Sequence, residues 1–172
     1  DVFLFASNGH GMWESAAANL VSAQHTLLLA GSGHFSDQWA IQIEGMGIAL
    51  QRTPFQEGHP FDVAAIEQAL REDTSHRISA VLVVHTDTAS GVTSDLAAVR
   101  RAIEAAGHPA LYVVDVVASL AASPFDMDAL GVDVALGSSQ KGLMMPPGLG
   151  FVAVNAKAMA WSARHAEPRF YW

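Results

Sequence analysis

The feature that most constrains this chain is a set of runs in which successive residues, not alternate ones, are apolar. ISAVLVVH (78–85), ALYVVD (110–115) and VDVALGS (132–138) are the clearest. A strand with one wet face alternates polar and apolar positions, whereas a strand covered on both faces is apolar almost throughout. These runs therefore need a layer on each side. VFLF (2–5), TLLLA (26–30), GIALQRT (47–53) and GFVAVN (150–155) bring the set to seven strands. Helical spacing fills most of the gaps, over 10–22, 36–45, 62–72 and 94–106, with Asp62 as an N-cap and Gly107 just past the end of the last helix. This alternation predicts a single α/β domain with a mostly parallel seven-stranded sheet and right-handed crossovers. No helical pattern joins the last two strands, so that pair is expected to be antiparallel.

Composition narrows the function. The chain is 51% apolar and 15% charged, which suits many buried strands or a large buried interface. A net charge of −8 argues against general nucleic-acid binding, which needs a basic face. The absence of cysteine removes disulfides, thiolate metal sites and thiol catalysis. The eight histidines form no i, i+4 pair and no HExxH motif, so no metal is expected. No apolar run reaches membrane-spanning length, and no signal peptide is visible. The sequence opens on DVFLF and closes on RFYW (169–172), apolar where termini are usually polar. The expectation is a domain cut from a longer protein.

In parallel sheets, ligands bind beyond the carboxyl ends of the strands. After VFLF comes ASNGHGMWE, a tight turn into a helix. The backbone N–H groups of Gly9, His10 and Gly11, with Asn8, suit a phosphate, although an ordinary strand–helix turn explains them equally. After TLLLA, Phe35 can lie over a planar ligand or simply fill the core. After ISAVLVVH, Thr88 offers a hydroxyl. Asp115 closes ALYVVD, where a carboxylate must meet a cation or strong donors, or serve as a structural bridge or cap. Val117 points to the same side in extended geometry. Lys141 follows VDVALGSSQ, in a turn holding Pro146, Pro147 and Gly148; it either snorkels to solvent or is a buried, desolvated nucleophile. The Met12–Trp13 pair reads as core or subunit contact. An anion cradle, a flat ring, a hydroxyl, a carboxylate and an amine at one sheet edge together match one ligand, pyridoxal 5′-phosphate.

The segments GSSQKGLMMPPGLGFVAV, VVHTDTASGVTSDLAAVRRAIEAAGHPALYVVDVVASL and GHFSDQWA resemble class V aminotransferases of fold type I, the serine–glyoxylate and alanine–glyoxylate group in particular. The resemblance spans essentially the whole chain. It implies a three-layer α-β-α large domain and a PLP-dependent enzyme that moves an amino group from serine, or alanine, to glyoxylate. It implies that Lys141 forms the Schiff base and carries the proton, that Asp115 pairs with the pyridine nitrogen, and that Phe35 stacks on the ring with Val117 beneath. Thr88 lies by the phenolic oxygen, and Asn8, Gly9, His10 and Gln140 lie by the phosphate. It also implies a homodimer in the cytoplasm, with an N-terminal segment, a C-terminal domain and a substrate-binding arginine outside this chain. The family's HNETSTG reads HTDTASG here, with Thr86, Asp87 and Ala89 replacing Asn, Glu and Ser. The rival readings are another fold type I PLP enzyme, a lyase or decarboxylase, and a non-catalytic ligand-binding α/β domain.

Overall fold

The computed structural model describes residues 1–165; the RFYW cluster lies outside them. Seven strands run in chain order as β1 (Val2–Ala6), β2 (Thr26–Leu29), β3 (Leu50–Arg52), β4 (Ile78–Val84), β5 (Leu111–Asp115), β6 (Val134–Ser138) and β7 (Leu149–Val154). They form one sheet in the order β1-β7-β6-β5-β4-β2-β3. Strands β3, β2, β4, β5 and β6 are mutually parallel. Strand β7 is antiparallel to β6, as expected, and also to β1. Strands β1 and β6 therefore point the same way, and β1, β2, β4, β5 and β6 all end on one edge.

Among the described residues, five helices complete three layers: α1 (Gly9–Leu20), α2 (His34–Gly45), α3 (Val63–Glu72), α4 (Leu96–Ala105) and α5 (Ala156–Arg164). Period-2 strand geometry sends alternate side chains to opposite faces. Leu27, Leu29, Leu82, Val113 and Leu136 pack with Met12, Trp13, Trp39 and Ile43 on the face carrying α1, α2 and α5. Leu28, Val81, Val83, Tyr112 and Val114 pack with Ile66, Leu70, Val99 and Ile103 on the face carrying α3 and α4. Every residue of β4, β5 and β6 is buried, which is why their sequences show no alternation. Strand β1 departs from that pattern: Val2 and Leu4 are exposed because it is an edge strand hydrogen-bonded to β7 alone among the described residues.

Three local expectations need correction. Helix α2 begins at His34, ahead of Ser36, because the Ser36 hydroxyl folds back to accept the Ser32 and Gly33 N–H groups and closes the turn earlier. Strand β3 is shorter than 47–53 because Gly47 sits in the left-handed region at φ +72 and turns the chain before Leu50. Helix α5 had no sequence counterpart; Asn155 caps it, its side chain accepting the Ala158 N–H at 2.9 Å. The Asp62 cap of α3 is as expected, accepting from the Ala64 and Ala65 N–H groups. Asp62→Ala should lower stability by about 1 kcal/mol, read as a lower urea midpoint at unchanged slope.

Candidate active site

At the shared edge the strand ends enclose a cleft of about 260 Å³. Asn8, Gly9, His10, Phe35, Thr88, Asp115, Val117, Gln140 and Lys141 all line it, together with Trp13, Val84, Thr86 and Ala118. Each of the nine residues expected from sequence thus reaches one space. A second cleft, of about 210 Å³ between β1, α1 and α5, is lined by apolar and small polar side chains with no charged group among them.

The turn after β1 opens α1. Asn8 is its N-cap, its side-chain oxygen accepting the Gly11 N–H at 3.2 Å. That bond occupies Gly11, so Gly11 drops out of the expected cradle. The Gly9 and His10 N–H groups have no acceptor among the described residues and stand at the positive end of the helix. Gly9 lies against Val117 so closely that an added Cβ would sit 2.9 Å from its methyl group.

Asp115 ends β5 and is buried at 5% exposure. Its two oxygens meet two donors: the Val117 N–H at 2.6 Å and the Trp13 indole N–H at 2.6 Å. It has no ion-pair partner within 4.0 Å among the described residues, so the structural-bridge reading fails. Burial raises its pKa from 3.8 to about 6; the Val117 and Trp13 N–H groups and the positive charge of Lys141 pull the other way.

Trp13 was read from sequence as core or subunit contact. It is core, stacked on Trp39 with ring centroids 5.4 Å apart, but it also forms a wall of the cleft and binds its carboxylate. The available signal was its place four residues after Gly9, on the same helix face. Phe35 packs partly against the core and also faces the cleft. Thr86, whose hydroxyl meets that of Thr93 at 2.9 Å, is a further lining residue missed from sequence.

Lys141 reaches the cleft and is exposed, so of its two readings the described chain shows the solvent-facing one. The reason is local: Lys141 lies in an outward turn after β6. Its side chain makes no hydrogen bond or ion pair with the described residues. That turn is held less by its prolines than by Ser139, whose hydroxyl donates to the Pro146 carbonyl at 2.6 Å while its backbone binds Leu149 and Met145. Gly142 fixes it to the loop after Asp115: a Cβ there would lie 2.2 Å from the Leu120 carbonyl oxygen. The amine and the carboxylate thus sit on neighbouring strands whose loops touch.

A family model described as aminotransferase class-V matches residues 3–165. The chain belongs to the class-V aminotransferase family. It is 48% identical, over 99% of its length, to an L-aspartate–glyoxylate aminotransferase of Paracoccus denitrificans, and 46% identical, over 92%, to a serine–glyoxylate aminotransferase of Methylorubrum extorquens. It covers 43% and 39% of those two proteins, so it spans less than half of their length. Among solved structures, an alanine–glyoxylate aminotransferase of Nostoc sp. superposes with a TM-score of 0.88 at 26% identity, covering 99% of this chain and 44% of that one.

Pyridoxal 5′-phosphate is the cofactor this family implies, and the residues fit it. The unused Gly9 and His10 N–H groups suit a phosphate. The Gln140 side-chain oxygen is buried beside the cleft with no hydrogen-bond partner among the described residues; being an acceptor it calls for a donor, and its amide N–H₂ is the group that could face a phosphate. Asp115 offers a buried carboxylate with no ion-pair partner among the described residues.

The raised pKa of Asp115 has a thermodynamic consequence for the cofactor-free protein. Below about pH 4 the carboxyl is neutral in folded and unfolded chains alike; as pH rises through about 6 the buried group ionises, and roughly 3 kcal/mol of stability is lost across that window. The Asp115 carboxyl carbon should titrate by NMR with a midpoint near 6. Trp13→Phe removes a donor that favours the ionised form and should raise that midpoint; a wild-type midpoint near 4 would contradict this account.

Proposed function

We propose that this chain is the cofactor-binding large domain, residues 1–172, of a longer, homodimeric, cytoplasmic enzyme that transfers the amino group of a small amino acid to glyoxylate, yielding a 2-oxo acid and glycine. The observation that carries the reading is the convergence, in one cleft and from three separate strand ends, of an amine and a buried carboxylate that make no ion pair among the described residues and of helix N–H groups with no acceptor there. Glyoxylate as acceptor is supported by the names of the Paracoccus and Methylorubrum relatives. Serine is the proposed donor, with alanine next. The Paracoccus relative's name supports aspartate as a second donor to test.

Pyridoxal phosphate supplies, when bound, the aldehyde and electron-withdrawing ring on which an amino group can be exchanged. The protein supplies the rest. Gly9 and His10 would hold the phosphate with their N–H groups, with Asn8 and Gln140 beside it. Phe35 and Val117 would confine the ring between them, and Thr88 would reach its phenolic oxygen. Asp115 would face the ring nitrogen and keep it protonated through a charge-assisted hydrogen bond, stronger than a neutral one. That proton would also satisfy the buried carboxylate, so Trp13 and Val117 hold Asp115 ready for a partner. Lys141 would anchor the aldehyde and then, as a neutral amine, take the proton from the amino acid's Cα.

The full-length protein should show a visible absorption band that serine bleaches, and should form glycine from serine and glyoxylate. Lys141→Ala should abolish both the band and turnover, and a band in that variant that borohydride still fixes to the protein would refute the assignment. Asp115→Asn should bind cofactor yet lose about 10²-fold or more in kcat. Glyoxylate left unconsumed, with carbon dioxide or ammonia released from the amino acid, would favour a decarboxylase or lyase. A wild type with no band at all would favour the non-catalytic module.

A further inference from the structure

Asp87 does not line the cleft, yet two of the cleft's walls hang on it. It lies just after β4, buried at 1% exposure. One carboxylate oxygen accepts the backbone N–H of Ala89 at 2.9 Å and of Ser90 at 3.1 Å, folding the segment that carries Thr88. The other accepts the backbone N–H of Phe35 at 2.8 Å, from a residue 52 positions earlier. Phe35 is the second residue of α2, and the N-cap position of that helix is Gly33, which has no side chain to cap with. Asp87 therefore caps α2 from the loop after β4. Its charge faces the positive end of that helix, and it has no ion-pair partner among the described residues.

Gly33 shows that the approach is built for this contact. A Cβ there would lie 2.8 Å from the Asp87 oxygen, and the residue sits at φ +148, which a side chain rarely tolerates. Both loops are pinned on the same carboxylate, and what they display into the cleft is Phe35 on one side and Thr88 on the other.

We propose that Asp87 is a positioning residue that locks Phe35 and Thr88 into one unit, so that the cofactor's ring-face contact and its phenolic-oxygen contact are set together by a single carboxylate. The proposal rests on the reading of the cleft as a pyridoxal phosphate site. Asn has the shape of Asp but replaces one acceptor oxygen with an amide N–H₂, which would confront either the Phe35 N–H or the Ala89–Ser90 pair; one arm must let go.

The test uses the full-length protein and reads cofactor affinity and the visible circular dichroism of bound pyridoxal phosphate, which reports how firmly the ring is held. Asp87→Asn should raise the cofactor dissociation constant about 10-fold or more and weaken the dichroic band. Combined with Phe35→Leu, it should lose clearly less than the product of the two single losses, because it acts through that ring. Unchanged affinity and dichroism beside a lowered Tm would mean a purely structural cap and would overturn the proposal, as would independent, multiplying losses in the double variant. Should Asp87→Asn fail to fold, Gly33→Ala displaces the same carboxylate and should show the same loss; normal cofactor binding there also overturns it. A wild type that binds no pyridoxal phosphate removes the functional reading itself, whereas a normal wild type beside an unaffected Asp87→Asn removes this proposal alone.

Discussion

Burial of the central strands on both faces is the constraint from which the rest of the structure follows. With β4, β5 and β6 covered by helices on each side, their backbone groups are spent on the ladder and their side chains on two cores. Polar chemistry has no room along such a strand; it is displaced to the ends. Because β1, β2, β4, β5 and β6 share one direction, five loops carrying quite different residues open on the same edge. The antiparallel β7 matters here as well: by lying between β1 and β6 it lets the phosphate-type turn after β1 and the lysine turn after β6 face one cleft.

Asp115 shows what that arrangement demands energetically. A carboxylate at the end of a fully buried strand is held with two N–H donors and, among the described residues, no ion pair, and its pKa is pushed to about 6. Those two donors reduce the penalty of burial without removing it. In the proposed enzyme the ring nitrogen's proton would meet the remaining demand, so the fold would hold ready an interaction that the ligand completes. This is the usual relation between stability and function at a binding site, where groups are placed for a partner that folding alone does not provide.

How much of this was legible depended on the range of the interaction. The α2 turn illustrates the limit. GSGHFSDQW shows a glycine before a helix and an aromatic just inside it, but nothing local marks Gly33 as the space that an Asp87 oxygen occupies. Trp13 is similar: its place on the face of α1 was visible, while its bond to a carboxylate 102 residues away was not. Helix α5 escaped notice because AKAMAWSAR has a narrow apolar stripe and buries fully only Ala158, so periodicity left little trace. Lys141 stands between two readings in the sequence because the SSQKG segment continues an apolar strand; only the fold shows that the chain turns outward there about Ser139.

The layer architecture, the parallel sheet and the edge at which chemistry gathers are legible in short windows of residues, since consecutive apolar residues and helix spacing are local consequences of two-sided burial. Most of the residues that line the cleft are visible there at strand ends. Which groups meet is a matter of the folded chain: Asp115 is answered by Trp13 and Val117, Asp87 caps a helix from the loop after β4, and Lys141 stands at the rim. Those pairings depend on strand order, and strand order follows from how distant segments pack together, a property no short window of residues contains.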